Sequence, residues 1–381
     1  MKVSLSVKVL QELLDLTARF VSKHATLPIL ENIYIKWNID TLLLRATDME
    51  KYIEIEIPAE IENEGAVTVN AKTFYDIIRS IDDETVLLHV DTTKDILDIH
   101  ASSDKFKIKW IAASEYVAVP TIQSENTLTL STQSFTTWIN KVEFAVTEKN
   151  FSPVLTGVFM RTKEYEGTKH MVFVGTDSFR LAEYKTVFDG QSEQDFSCIV
   201  PKVHIADINK VAQYMLEKEV ETMQITLSDN MVRFGFSYGD MQVSCMSLLI
   251  QGTFPDYENE NIMPTTFNTT VLLDKTQLEK AIRKIAILTR DINNYIAVQW
   301  WDNQLIFTSG ETDMGEWKTS CAALIDNEMA SFGMNGKYIA DFLKNIEGID
   351  VQMALINAEK PVIFKDKDDT QFTYVVRPLM K

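Results

Sequence analysis

The sequence predicts an α+β protein in which one domain, two helices packed on antiparallel strands, occurs three times in a row. Three observations carry that expectation. Four kinds of segment recur in the same order three times along the 381 residues. A Thr-Asp turn between apolar runs occurs as "RATDMEKYIEI" (45–55) and again as "VGTDSFRLAEY" (174–184), 129 residues later. An aspartate holds one register in three short amphipathic segments, as Asp76, Asp207 and Asp341. Self-similarity at a fixed period marks a repeated unit, and about 130 residues make one typical domain.

The first recurring segment reads as an amphipathic helix, at 6–23, 131–149 and 274–290. Ser6, Ser131 and Asp274 are good N-cap types. Leu10, Leu13, Leu14 and Phe20 then recur at helical spacing, as do Leu278, Ile282, Ile285 and Leu288. The second segment is a strand pair about a turn: "LLLRATDMEKYIEIEI", "MVFVGTDSFRLAEYK" and "QLIFTSGETDMGEWKTSC". Asp and Ser suit that turn because their side chains bond nearby backbone. The third is a second, shorter helix at 70–81, 201–214 and 335–346, with Asn70 and Asn335 as caps and Pro201 in a first helical turn. The fourth is a strand hairpin, clearest in "KFKIKWI", where Phe106, Ile108 and Trp110 share a face.

Two polar stretches with prolines, 117–128 and 251–268, read as linkers. The expected domains are therefore 1–122, 127–257 and 266–381. Three such α+β domains can form an arc, and two arcs can close into a ring about a two-fold axis.

Composition is that of an ordinary globular chain, 45% hydrophobic and 24% charged. Cys198, Cys245 and Cys321 are far apart and lack zinc spacing, which points to buried thiols in a reduced, cytoplasmic setting. The N-terminus carries Lys8, Gln11, Glu12 and Asp15 among its apolar residues and does not read as a signal peptide. No apolar run approaches the ~18 residues of a membrane span, so no membrane partner is expected.

Catalytic signals are weak. The Thr47–Asp48 and Thr176–Asp177 pairs are the best acid–base candidates. The third copy has Ser309–Gly310 at that place, and a turn role fits better. His24, His89, His100, His170 and His204 form no i, i+4 pair, so neither a metal nor a cofactor is expected. There is no phosphate-binding glycine motif and no nucleophile elbow. "DKDDT" (366–370) resembles part of a calcium loop but reads as a hairpin turn.

The net charge of −18 argues against a plain nucleic-acid binder. Its distribution argues otherwise. The six helical spans, counted as 6–23, 71–81, 131–149, 201–214, 274–290 and 335–345, hold 16 Lys and Arg against 9 Asp and Glu, a net +7, which leaves −25 elsewhere. Lys and Arg also favour solvated helix faces for their own sake. On the inside of a ring the same cations would attract phosphates without reading bases.

At this point the chain resembles the bacterial β sliding clamp family, the processivity factors of replicative DNA polymerase. The likeness spans all three copies. It rests on "ATLPILENIYIKW" (25–37), "LRATDMEKYIEIEI" (44–57), "VGTDSFRLAEYK" (174–185), "IVPK" (199–202), "TFPDYE" (253–258) and "YVVRPLMK" (374–381), in that order. The resemblance implies a head-to-tail homodimeric ring that slides on duplex DNA without catalysis of its own. It implies one peptide pocket per chain for the replicative polymerase, the clamp loader, repair polymerases and mismatch-repair proteins. Leu155, Thr176, Ser178, Phe179, Arg180, Leu181, Pro255, Asn335, Tyr338, Val362, Val376, Arg377, Pro378 and Leu379 match pocket positions. His24, Lys149 and Lys202 match DNA-facing positions, and Arg283 lies on a helix expected to line the ring. Phe106 and Ile108, on an edge strand, would meet Ile287 and Leu288 across the dimer contact.

The chain departs from the family pattern at several places. Ser178-Phe179 stands where Gly-His is common, Glu258 where an Arg follows "FPDY", Pro153-Val154 where aromatics are common, and Arg377 where an apolar residue is usual. The peptide preference is therefore expected to differ around Phe179. Two other readings stay open: an enzyme using Asp48 or Asp177 in a cleft, and a scaffold ring that binds proteins but not DNA.

Overall fold

A computed structural model describes residues 2–22, 27–59, 63–102, 104–122, 127–148, 151–188, 195–310, 315–327 and 331–379, apart from the side chains of Leu288 and Asp291. Each copy runs strand, helix, four strands, helix, three strands. The first holds β1 (Lys2–Ser6), α1 (Val7–Thr17), β2 (Asn32–Trp37), β3 (Thr41–Thr47), β4 (Lys51–Pro58), β5 (Gly65–Asn70), α2 (Ala71–Arg79), β6 (Thr85–Asp91), β7 (Ile96–Ala101) and β8 (Asp104–Ala112). The second holds β9 (Thr127–Ser131), α3 (Thr132–Glu143), β10 (Gly157–Tyr165), β11 (Thr168–Thr176), β12 (Arg180–Val187), β13 (Ser197–Pro201), α4 (Lys202–Glu217), β14 (Thr222–Leu227), β15 (Met231–Tyr238) and β16 (Met241–Leu248). The third holds β17 (Thr269–Asp274), α5 (Lys275–Thr289), β18 (Tyr295–Trp301), β19 (Gln304–Thr308), β20 (Lys318–Ile325), β21 (Phe332–Asn335), α6 (Gly336–Lys344), β22 (Asp350–Leu355), β23 (Val362–Asp366) and β24 (Asp369–Val376).

The three copies and six helices match the expected α+β class. The helix ends do not all match. α1 stops at Thr17, six residues before the expected end, because the chain tightens there. Thr17 Oγ1 bonds back to the Leu13 carbonyl, and Arg19 and Phe20 donate to the carbonyls three residues earlier, which turns Phe20 fully into the core. α3 likewise ends at Glu143 in short turns through Ala145 and Val146. Pro201 ends β13 and precedes α4; it is not inside the first helical turn. The caps at Asn70, Asp274 and Asn335 form, each accepting a backbone N–H at 2.8–3.0 Å. Ser131 accepts from Ser134 at 3.3 Å, and Ser6 makes no side-chain cap bond. Each copy also carries a short strand before its first helix, which the sequence pattern did not reveal. β1 alternates exposed and buried residues over five positions, too few to separate from a helix cap.

The strands form two twelve-stranded antiparallel sheets, each within one compact unit. One unit comprises Met1–Thr136 and Val203–Leu249 and holds the order β1-β6-β7-β8-β5-β2-β3-β4-β16-β15-β14-β9. The other comprises Thr137–Asp189, Asp195–Lys202 and Ile250–Lys381 and holds β13-β10-β11-β12-β24-β23-β22-β17-β20-β19-β18-β21. The second copy therefore gives strands to both sheets. β4 pairs with β16 in the first, and β12 with β24 in the second.

Both expected linkers are packed where they are described. Val119 and Ile122 rest on Tyr52, Met231 and Met246. Phe254 stacks on Phe159 at 4.5 Å and Tyr257 is buried beside it. In the first sheet β8 pairs with β7 along Asp104–Lys109, while β5 reaches only its last three residues. Among the described residues, the other side of Asp104–Lys109 is open.

Candidate partner pocket and DNA-facing residues

The Thr-Asp turn has one geometry in two copies. Asp48 Oδ1 accepts from the Glu50 and Lys51 amides at 3.0 and 2.9 Å, and Asp177 Oδ1 accepts from Phe179 and Arg180, both at 3.0 Å. Thr47 and Thr176 each donate a hydroxyl to the carbonyl of the residue that ends the turn, at 2.8 and 2.6 Å. Met49 and Ser178 take φ of 77° and 78°, a left-handed conformation that costs a side-chain-bearing residue energy. Oδ1 of each aspartate is thus held by two backbone amides, which suits a turn.

Each turn ends in a cation that is drawn into the structure. In the first unit Lys51 is 5% exposed, pairs with Asp207 on α4, and has its ammonium 5.4 Å from the Phe20 ring centre. In the second unit Arg180 donates to Asp341 on α6 at 2.7 Å, to Asp177 at 3.0 Å and to the Phe144 carbonyl at 3.0 Å, and lies 4.5 Å over the Tyr338 ring. Burial opposes its charge; the Tyr374 hydroxyl and the Asp341 and Asp177 carboxylates outweigh burial and raise its pKa.

Around Arg180 the second unit gathers most of the predicted pocket residues. β12 sets Arg180 and Leu181 opposite Val376 and Val375 of β24, and β23 sets Val362 opposite Val376. The Arg377 amide bonds the Phe179 carbonyl at 2.8 Å, and Leu379 bridges Gly333 just before Asn335. Leu155 and Leu181 lie in one apolar cluster with Phe254 and Ile363. Val362, Val376 and Pro378 are buried, so they serve as floor and packing. Ser178, Arg377 and Pro255 are exposed, Asn335, Tyr338 and Leu379 are half-buried, and Phe179 is 52% exposed. Pro255 follows Phe254, a member of that apolar cluster. An open groove of about 680 Å³ bordered by Glu54, Glu56, Glu219 and Glu221 in the first unit shares none of these residues.

Sequence reasoning missed the partners that fix Arg180. Asp341 was visible only as a repeat register, and Phe144 and Tyr374 carried no signal. It also did not foresee what Glu258 does. Glu258 takes Arg161 at 2.8 Å, along with Lys163 and Tyr165, all on β10, while Tyr257 donates to the buried Glu183 at 2.7 Å. These bonds pin residues 257–258 to the sheet beside the apolar cluster.

Of the DNA-facing candidates, His24 and Lys149 lie outside the described residues. Arg283 is exposed on α5 beside Lys280 and Lys284. Lys202 is half-buried and spends its ammonium on the Val146 carbonyl at 2.7 Å. At their observed ends the six helices hold 12 Lys and Arg against 8 Asp and Glu, a net +4 with +3 of it on α5. The basic excess is smaller than the sequence spans gave, because Arg19 and Arg290 fall beyond α1 and α5 and Lys23 and Lys149 lie outside the described residues. Phe106 and Ile108 are half-buried on the open stretch of β8, and Ile287 is 66% exposed; the side chain of Leu288 lies outside the described residues. Among the described residues no cluster of His, Cys, Asp and Glu could hold a metal ion.

Family models match the chain end to end: the DNA polymerase III beta subunit N-terminal domain over residues 1–120, its central domain over 129–256 and its C-terminal domain over 260–380. The chain belongs to the bacterial β sliding clamp family. As a clamp it is a processivity factor and not an enzyme. A beta sliding clamp of a Synechocystis species is 26% identical over 386 residues, 96% of each chain, and one of Staphylococcus aureus is 27% identical over 373 residues, 95% of each. The fold matches the crystal structure of the Thermotoga maritima DNA polymerase III beta subunit with a TM-score of 0.90 at 22% identity, over 100% of this chain and 99% of that one. The Bacillus subtilis sliding clamp gives 0.90 at 23% identity, with the same coverage. No helix among the described residues is long and apolar enough to cross a membrane.

Proposed function

We propose that two copies of this chain close head to tail into a ring around duplex DNA and tether the replicative polymerase to it. The observation that carries this reading is the succession of three clamp-family domains along one chain. The three domains are taken as 1–122, 127–257 and 266–381. Tethering acts by effective concentration: a polymerase that leaves the primer end stays within reach of it and is recaptured. Phosphate contacts without base readout let the ring slide, because they carry no register.

In this reading Arg283, with His24, Lys149 and Lys202, faces the duplex. The surface around Arg180 takes a short extended peptide. Phe179, Ser178, Tyr338 and Arg377 offer the reachable side chains, over the floor formed by Leu155, Leu181, Val362 and Val376. Thr176 shapes the turn, and Pro255, Asn335, Pro378 and Leu379 border the site. Such a pocket draws affinity from a few buried anchors on the ligand. The clamp loader, repair polymerases and mismatch-repair proteins would compete for it in the cytoplasm. Phe106 and Ile108 of one chain would meet Ile287 and Leu288 of the other.

The test is synthesis of long products on primed circular DNA by a clamp-dependent bacterial replicative polymerase and its loader. Purified chain should dimerise, load and lengthen the products. A monomer that gives no stimulation would remove the proposal. Loading unchanged by Lys202→Glu with Arg283→Glu would favour a scaffold ring that does not hold DNA.

A further inference from the structure

The two joints between neighbouring copies within the chain share one device. The residue that ends the turn after β3 or β11 is a cation, and it pairs with an aspartate on the second helix of the next copy. Lys51 meets Asp207, and Arg180 meets Asp341. Both aspartates stand six residues after the position preceding their helix, Pro201 and Asn335. The strands beside them, β4 with β16 and β12 with β24, continue the sheet across the joint.

In the third copy β19 and β20 are joined by a longer connection, and the described residues at its two ends correspond to those of the Thr-Asp turn. Gly310 has φ 72°, matching Met49 and Ser178, and the Ser309 N–H donates to the Trp317 carbonyl as the Asp48 N–H does to the Lys51 carbonyl. Ser309 Oγ accepts the Trp317 amide at 3.0 Å. Thr308 faces Lys318, as Thr47 faces Tyr52 and Thr176 faces Leu181. Trp317 therefore occupies the place of Lys51 and Arg180. Lys318 cannot replace the missing cation, since it holds the place of Tyr52 and Leu181, and neighbouring strand residues point to opposite faces. The first copy has the complementary vacancy. Asp76 stands six residues after the cap Asn70 of α2, is exposed, and has no side-chain partner among the described residues.

We propose that the joint between two chains is the third member of this series with the ion pair left out: Trp317 of one chain seats against Asp76 on α2 of the other. The inference rests on the ring reading above and adds the residue that sets the strength of its closure. As β4 pairs with β16 within the chain, β20 of one chain would lie along the open stretch Asp104–Lys109 of β8 in the other. The indole of Trp317, 43% exposed in the single chain, would be covered there and could donate its N–H to Asp76. The two joints within the chain are locked by buried charge. The joint between chains is held by an aromatic contact and is the one that yields.

The test measures the monomer–dimer Kd of full-length chain by sedimentation over a dilution series, for wild type, Trp317→Ala, Trp317→Arg, Asp76→Asn and the Trp317→Arg/Asp76→Asn double variant. Trp317→Arg installs the cation of the other joints. A close charge pair across an interface is worth about tenfold or more, and two joints close per ring, so Kd should fall roughly a hundredfold. Asp76→Asn should cancel most of that gain, and Trp317→Ala should weaken the wild-type dimer. Trp317→Arg that leaves Kd unchanged or raises it overturns the inference, as does a gain that Asp76→Asn leaves intact. A wild-type chain that never dimerises would overturn the ring reading as well; a dimer indifferent to these changes overturns this inference alone.

Discussion

Asp207→Ala is the sharpest probe of how the copies are joined. The change deletes one carboxylate, and the residue it abandons is the informative one. Lys51 is 5% exposed and sits between Asp207 and the ring of Phe20, so its ammonium cannot reach water without repacking. Leaving one buried charge of a pair uncompensated costs about 3–5 kcal/mol, whereas replacing both members by apolar residues of similar volume is close to neutral. Asp207→Ala should therefore destabilise its unit by roughly 3 kcal/mol or more, and Lys51→Met with Asp207→Leu should recover to within about 1 kcal/mol of wild type. The exposed Arg19–Asp15 pair at the end of α1 sets the contrast, since breaking such a pair costs about 0.5 kcal/mol or less. Native-state hydrogen exchange at the amides of Ile53 and Cys245, which face each other across β4 and β16, reads this unit alone. A loss of protection below about 1 kcal/mol in Asp207→Ala, or a double variant as weak as the single, would refute the reasoning.

Four further outcomes are expected. His204 is buried against Ser247, with a pKa pushed down to about 4 by burial first and by Lys51 in addition; its folded pKa lies below the unfolded value, so its contribution of roughly 3 kcal/mol is complete above about pH 6.5 and lost as pH falls toward 4, and His204→Asn should flatten urea midpoints across that window. Phe179→Ala should leave stability within about 0.5 kcal/mol, because the ring is half in solvent, yet weaken a clamp-binding peptide by about fivefold or more in fluorescence anisotropy. Arg283→Glu should reduce loading on DNA and lower the slope of log K against log salt by about 1, read from filter binding over a salt series. Gly175→Ala would place a Cβ 2.2 Å from the Val142 carbonyl and should cost about 2 kcal/mol or more by thermal unfolding.

Much of this was legible because repetition multiplies weak signals. Neither Thr-Asp turn alone separates a catalyst from a bend, but two copies with the same flanks, and a third with Ser309–Gly310, point to a bend. The register of Asp76, Asp207 and Asp341 was likewise visible, although its role was not. That role depends on which helix the turn of the preceding copy meets, a long-range fact that no local pattern encodes. The short strands β1, β9 and β17 were lost because five or six alternating residues next to a cap look like the cap itself. Residues 251–268 read as a linker from prolines and Asn, whereas Phe254, Tyr257 and Glu258 anchor that stretch to β10. Its composition suits a loop, and only the partners across the sheet reveal that it is fastened. Among the expected pocket residues, Leu181, Val362 and Val376 are buried and Ser178, Phe179 and Arg377 exposed, a division that depends on tertiary packing and that the sequence does not carry. The charge partition keeps its sign and loses part of its size, because the expected helix ends took in Arg19 and Arg290, which lie past α1 and α5, and Lys23 and Lys149, which lie outside the described residues.

The pairing of β4 with β16 and of β12 with β24 separates heredity from mechanics. The unit that was duplicated is a copy of about 130 residues, but the unit that holds hydrogen bonds together is a sheet drawn from two copies. A chain severed in either connecting stretch would not release finished modules. Each piece would carry a raw strand edge, β4 or β16 at the first cut and β12 or β24 at the second. Such fragments should seek each other or aggregate, and co-expressed halves should reassemble where a lone copy would not stand. Grafting one copy from a relative would then succeed only if its bordering strands were exchanged along with it.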